Sequence, residues 1–84
     1  MNKIDLYLRM RANPAGDWTM KDVETVGREN GFNCKPPTGG GSHFKVSHSE
    51  FSDILTVPSR RPIKPVYIHK LVAMMTLFRR NATQ

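Results

Sequence analysis

The feature that most constrains the fold is a pair of short strand-like runs: residues 43–47, in which apolar and polar residues alternate, and residues 52–57, which stop at Pro58. Alternation with a period of two is typical of half-buried β-strands. The few residues between the runs leave room only for a tight connection, which favours an antiparallel hairpin. Residues 32–35 also alternate, and this run stops at Pro36, because proline cannot donate to a strand ladder. We therefore expect a three-stranded antiparallel sheet.

Two helices are expected before the sheet. Residues 3–12 would place Ile4, Tyr7 and Leu8 on one side of a short helix. This helix should end before Pro14, since the residue that precedes a proline is pushed out of the α region.

The second helix has the clearest start in the chain. The hydroxyl of Thr19 can cap it, and Asp22 stands at the position that completes a capping box. Gly31 suits the left-handed position just beyond a helix. We expect this helix to cover residues 20–30.

A third helix is expected from Pro65, because proline is well tolerated in the first helical turn. Its core-facing residues follow the i, i+3, i+4, i+7 spacing of an amphipathic helix. They are Ile68, Leu71, Val72, Met75 and Phe78. The economical packing of this α-α-β-β-β-α order is a single α+β domain over residues 1–84, with the helices on one face of the sheet and the other face open.

The positive charge is confined to the second part of the chain. Residues 1–34 contain five basic and five acidic residues, whereas residues 35–84 contain eight basic and two acidic ones, and so carry the whole net charge of +6. Such a bias is typical of a protein that binds a polyanion. No apolar run approaches the ~18 residues of a membrane span, and the N-terminus lacks the apolar core of a secretory signal. With a single cysteine, Cys34, we expect a cytoplasmic protein.

His43 is the strongest catalytic candidate. If Phe44 and Val46 face the helices, then His43 and Lys45 share the open face, roughly 6.5–7 Å apart along the strand. Histidine can donate and accept protons near neutral pH, and lysine can stabilise charge that develops on a phosphate. The pair suits cleavage of RNA by its own 2′-hydroxyl group, a reaction that needs no metal.

Further candidates for RNA binding lie on either side of this pair in the sequence. Gly41 and Ser42 precede His43 in a glycine-rich tract, which suits a close approach of another molecule to the backbone. Downstream, a loop stiffened by prolines presents a basic cluster. Its members are Arg60, Arg61 and Lys64.

The remaining histidines and the cysteine are weaker candidates. His48 is expected to be a turn residue and His69 to lie on a polar helix face, although either could assist at the site. Cys34 and the histidines fit no standard zinc spacing, and no GK[ST] sequence follows the glycines as in a P-loop. We therefore expect neither a metal nor another cofactor.

The segments GGGSHFKV and LTVPSRRPIKPVYIHKLV together resemble the HicA family of bacterial toxins, over about residues 19–78. HicA proteins are small mRNA interferases of type II toxin–antitoxin systems, with a fold similar to a double-stranded-RNA-binding domain. The resemblance implies that His43 is the catalytic histidine of the family and that Gly41 and Ser42 shape the access to it. It also implies that residues 60–64 are the family's basic segment. It also implies a HicB-like antitoxin that covers the active site. The preceding residues 1–16 look like an N-terminal extension.

Together these features predict a ribosome-independent endoribonuclease that acts on mRNA in the bacterial cytoplasm, with His43 as its general acid/base and Lys45 near the phosphate. The second proton-transfer group stays open among His48, a lysine, water and another subunit. One alternative is a non-catalytic RNA-binding module of the same fold, which would need the basic face but not His43. Another is a protein–protein adaptor whose open sheet face receives a peptide strand.

Overall fold

The structure, a computed structural model, describes residues 5–39 and 41–82. Its elements follow the predicted order: α1 (Leu6–Ala12), α2 (Met20–Glu29), β1 (Asn33–Lys35), β2 (His43–His48), β3 (Phe51–Pro58) and α3 (Pro65–Ala82). The strands form one antiparallel sheet in the order β1-β2-β3, with the helices on one face. The predicted fold class is confirmed. Among the described residues, no helix is long and apolar enough to cross a membrane.

The first helix buries a side that differs from the predicted one. Its N-cap Asp5 accepts a hydrogen bond from the N–H of Tyr7 (3.1 Å). Tyr7 and Met10 are buried, whereas Leu8 is 45% exposed, so the prediction for Leu8 is wrong. The reason is that α1 packs against α3, where the Tyr7 hydroxyl shares a hydrogen bond with the Thr76 hydroxyl (2.7 Å). The predicted start of this helix, including Ile4, lies outside the described residues.

The second helix begins and ends where its caps predict. The N–H of Asp22 donates to the Thr19 hydroxyl (3.2 Å), and the N–H of Thr19 donates to the Asp22 carboxylate (2.9 Å), which completes the capping box. After the C-cap Asn30, Gly31 has a φ of +77°. Glycine adopts this left-handed conformation without strain, and the chain turns there towards β1.

The register of the sheet decides which side chains face outwards. Val46 of β2 pairs with Leu55 of β3, and both are buried beneath the helices. On the opposite face, Lys45 lies between Lys35 of β1 and Thr56 of β3, and all three are exposed. The sheet thus has one covered face and one open face, as predicted.

His48 is the last residue of β2 and belongs to the core, so its predicted place in the turn is wrong. Because β2 continues through residue 48, His48 has the same inward phase as Val46, and it is 9% exposed. Its ring packs among those of Phe32, Phe51 and Phe78, with centroid distances of 4.9, 5.3 and 4.8 Å. Its Nδ1 accepts a hydrogen bond from the N–H of Glu50 (3.0 Å).

The third helix completes the core with the residues that its spacing predicts. Ile68, Leu71 and Met75 are buried, and Val72 and Phe78 pack against the same cluster. This helix starts at Pro65, as predicted.

Arg79 ties the three helices together near the end of α3. Its guanidinium donates to the side-chain oxygen of Asn30 (2.8 Å) and to the carboxylate of Asp5 (2.6 Å). It also lies 3.9 Å from the centre of the Tyr7 ring. Arg79 is therefore a structural residue of the helical layer.

Candidate functional site

His43 occupies the first position of β2, exposed on the open face of the sheet. Lys45 is exposed on the same face, so the predicted strand phase is confirmed. No hydrogen bond or ion pair within the described part of the chain engages the His43 imidazole. Both of its ring nitrogens can therefore exchange protons with a bound ligand.

On one side of His43 the surface forms a hollow of about 260 Å³, which we call the loop hollow. It is lined by Ser42, His43, Pro58, Arg60, Lys64 and Tyr67. The fold thus brings two members of the predicted basic cluster to the histidine. Tyr67, in the first turn of α3, is a site residue that the sequence analysis missed.

The loop between β3 and α3 is attached at both of its ends. The N–H of Ser59 donates to the carbonyl of Ser42 (2.8 Å), next to the histidine. At the other end, the N–H of Ile63 donates to the carbonyl of Trp18 (2.8 Å), and the Ile63 side chain is buried in the core. Because both ends are fixed, the basic residues between them are held beside the sheet.

Arg61 belongs to the same loop but does not line the hollow. Its Nε and Nη2 donate to the two carboxylate oxygens of Asp17 (3.3 and 2.9 Å). This hydrogen-bonded guanidinium lowers the pKa of the Asp17 carboxyl. A carboxyl with a lowered pKa stays charged at neutral pH, so the contribution of this pair to stability is lost only as the pH falls through that lowered pKa.

On the other side of His43 the surface forms a second hollow of about 440 Å³, which we call the sheet hollow. It is lined by Lys35, Pro36, Pro37, Thr38, His43 and Lys45. Lys35 was not predicted as a site residue, and it stands directly opposite Lys45 in the register of β1 and β2. Gly41 is exposed in the connection between these strands, and Gly39 turns the chain there with a φ of +64°.

The other candidate groups lie apart from these hollows. His48 is five residues along β2 from His43, about 17 Å, and its place in the core removes it as the second proton-transfer group. His69 is exposed on α3 and lines neither hollow. Burial raises the pKa of the Cys34 thiol, as does the nearby Glu24 carboxylate, so this cysteine is not a thiolate nucleophile at neutral pH.

Within residues 5–39 and 41–82, no three His, Cys, Asp or Glu side chains are grouped so that they could hold a metal ion. A comparison of the chain with protein-family models, with curated proteins and with solved structures finds no match. The site residues themselves therefore carry the functional interpretation.

Proposed function

We propose that the protein is a ribosome-independent endoribonuclease that cleaves mRNA, with His43 as its general acid/base. The position of His43 is the observation that supports this function. It is exposed between two hollows, with Arg60 and Lys64 on one side and Lys35 and Lys45 on the other. A phosphodiester backbone that crosses His43 would meet positive charge on both sides, which favours binding and stabilises the charge of the transition state.

In the proposed reaction, the 2′-oxygen of the RNA attacks the adjacent phosphorus, and the bond from phosphorus to the 5′-oxygen breaks. The products are a 2′,3′-cyclic phosphate and a free 5′-hydroxyl. The 2′-hydroxyl loses one proton and the departing 5′-oxygen gains one, and we assign one of these transfers to His43. Water, a lysine of the site or a group of another subunit is left for the other transfer, since His48 is buried.

The chemistry is tested with two versions of one RNA of mixed sequence, one natural and one with 2′-deoxynucleotides throughout. The purified protein should cut the natural strand, leave fragments that end in cyclic phosphate, and spare the deoxy strand, which has no attacking hydroxyl. Binding without cleavage of either strand would instead support the non-catalytic RNA-binding module. Failure to bind either strand would support the protein–protein adaptor.

The basic loop provides a prediction about affinity. Replacing Arg60 and Lys64 together by alanine should weaken binding to all RNA sequences alike, because phosphate contacts carry no sequence information. Each phosphate contact to a single strand contributes about 0.7 to the slope of log affinity against log salt, so the double variant should flatten that slope by about 1.4. The measurement is RNA binding over a series of salt concentrations.

Arg61→Ala is the matched control for this pair. It removes one positive charge from the same loop, whereas the double variant removes two. Because its guanidinium is bound to Asp17, we expect a change in slope of less than half that of the double variant. If Arg61→Ala flattens the slope as much as the double variant does, the RNA must displace Asp17 from Arg61 and bind along a surface other than the one proposed here.

We also propose, from the HicA resemblance, that the protein is a toxin of a type II toxin–antitoxin system in the bacterial cytoplasm. Its partner would be a HicB-like antitoxin that covers His43 and the basic loop. Because basic residues surround the histidine, the rim of the covering surface should be acidic. Such charges raise the association rate and fix the orientation of the two proteins, whereas buried apolar contacts set the dissociation rate.

The partner proposal predicts a competition between RNA and the protein encoded beside this one. The association rate of the two proteins should fall as salt rises, and RNA cleavage should fall in proportion to the occupied fraction. Cleavage rates and binding kinetics, recorded on the same mixtures, check both expectations. Simultaneous binding of RNA and partner with unchanged cleavage would show that the partner is not an inhibitor of the active site.

A further inference from the structure

Tyr67 presents an aromatic group beside His43 that the proposed chemistry does not use. It is half-buried, lies in the first turn of α3 and lines the loop hollow with Arg60 and Lys64. Its hydroxyl makes no hydrogen bond within residues 5–39 and 41–82, whereas that of Tyr7 is bonded to Thr76. No aromatic ring of the described chain stacks on it. The residue packs in part against the core, and the rest of its surface lines the hollow.

The sheet hollow carries an unusual pairing of like charges. Lys35 and Lys45 are directly opposite each other in antiparallel strands, where Cβ atoms are about 4.5–5.5 Å apart and like charges are destabilising. Neither lysine forms an ion pair in the part of the chain that the structure describes. An anion bound between the two ammonium groups would remove their repulsion, which makes this pair a candidate phosphate subsite.

The two hollows meet at His43, which lines both of them. Single-stranded nucleic acid is bound by basic grooves that follow its backbone and by aromatic rings on which its bases stack. In a duplex, each base is already paired and stacked, so it is not available to an aromatic ring at the wall of a hollow. The duplex also holds the 2′-oxygen out of line with the departing 5′-oxygen, which opposes the reaction proposed at His43.

We propose that the substrate is bound as a single strand, with a base next to the scissile phosphate stacked on Tyr67 and a neighbouring phosphate held between Lys35 and Lys45. The inference rests on the proposed function and adds the strandedness of the substrate and two contacts that bind it. The open sheet face is thereby assigned to single-stranded rather than double-stranded RNA.

Binding is tested in the His43→Ala background, so that the RNA stays intact. The probes are a 12-nucleotide RNA of mixed sequence and the duplex that it forms with its complement. The single strand should bind more tightly than the duplex. Tyr67→Leu, which keeps a shorter apolar side chain but removes the ring, should weaken binding of the single strand by roughly 5- to 150-fold, the effect of losing one stacked base. Tyr67→Phe should bind as the parent does.

The lysine pair is tested on the same single strand. Lys35→Ala and Lys45→Ala should each weaken binding, and the double variant should flatten the salt slope by about 0.7, as expected for one shared phosphate. Lys70→Ala is the charge-matched control, because Lys70 is exposed on α3 in a separate groove with Asp53 and Leu77.

The possible results separate this inference from the function on which it rests. Duplex binding that equals or exceeds single-strand binding overturns the inference alone, as does an unchanged affinity in both Tyr67→Leu and the double lysine variant. Failure of the wild-type protein to bind or cut any RNA overturns the proposed function as well. Thermal melts of every variant show whether a lost affinity reflects the site or a lost fold.

Discussion

Replacing His43 by alanine should lower the rate of RNA cleavage by at least about 100-fold, because positioned acid–base groups contribute roughly 10²- to 10⁴-fold to catalysis. The melting temperature should barely change, since the side chain is exposed and makes no hydrogen bond or ion pair within the described part of the chain. Substitutions of such surface residues usually alter the free energy of unfolding by no more than about 0.5 kcal/mol. Initial cleavage rates and thermal melts of the same preparations measure both effects.

His69→Ala is the control for this experiment. It removes another exposed histidine, and His69 lines neither hollow, so both cleavage and stability should resemble the wild type. A His43→Ala protein that cuts at the wild-type rate would remove His43 from the mechanism. One that unfolds would make His43 a structural residue and leave the catalytic group unassigned.

The position of His43 was predictable because it depends on neighbours in the sequence. Strand alternation places Phe44 and Val46 inside and therefore His43 outside, and the structure agrees. The capping box of Thr19 and Asp22 was predictable for the same reason, because it depends only on two residues that are three positions apart in the sequence. Local rules of this kind act within a few residues, so they are visible before any tertiary contact is known.

The rest of the site depends on contacts that no local pattern specifies. Lys35 reaches the site because β1 pairs with β2 in one register rather than another. Tyr67 does so because the start of α3 lies next to the first residue of β2. His48 enters the core because β2 continues to residue 48, so that His48 keeps the inward phase of Phe44 and Val46. Each of these outcomes is set by the packing of whole elements.

Long-range ion pairs were the least predictable feature. Arg61 pairs with Asp17, 44 residues earlier, and Arg79 pairs with Asp5, 74 residues earlier. Arg61 looked like an equal member of the basic cluster, because the sequence counts charges but does not say which ones are paired. The structure therefore divides the predicted basic cluster into residues that face His43 and one that is bound elsewhere.

The first helix, α1, lies outside the part of the chain that resembles the HicA family, which is about residues 19–78. The structure places Met10 fully within the core and Tyr7 almost so. Contacts to the rest of the protein hold the helix on two sides. Arg79 lies over the Tyr7 ring, and the Arg9 guanidinium lies 5.6 Å from the centre of the Trp18 ring. An element held in this way is expected to contribute to the stability of the whole domain.

Met10→Ala should accordingly lower the free energy of unfolding by about 2–5 kcal/mol, the usual range for Met→Ala in a core. The loss combines the transfer free energy of the buried side chain with the cavity left behind, since Met10 is 0% exposed. A small domain has only about 5–15 kcal/mol of stability in total, so the urea midpoint should fall markedly. Urea unfolding followed by the fluorescence of the single tryptophan, Trp18, measures the change.

Leu8→Ala is the matched control, because it shortens an apolar side chain of the same helix that is 45% exposed. Its free energy of unfolding should change by no more than about 0.5 kcal/mol. If Met10→Ala unfolds at the same urea concentration as Leu8→Ala, the core closes without α1, and residues 1–16 are the detachable extension that the HicA resemblance implies. If only Met10→Ala is destabilised, the helix is part of the folding unit, in agreement with the contacts of Arg79 to Asp5 and the Tyr7 ring.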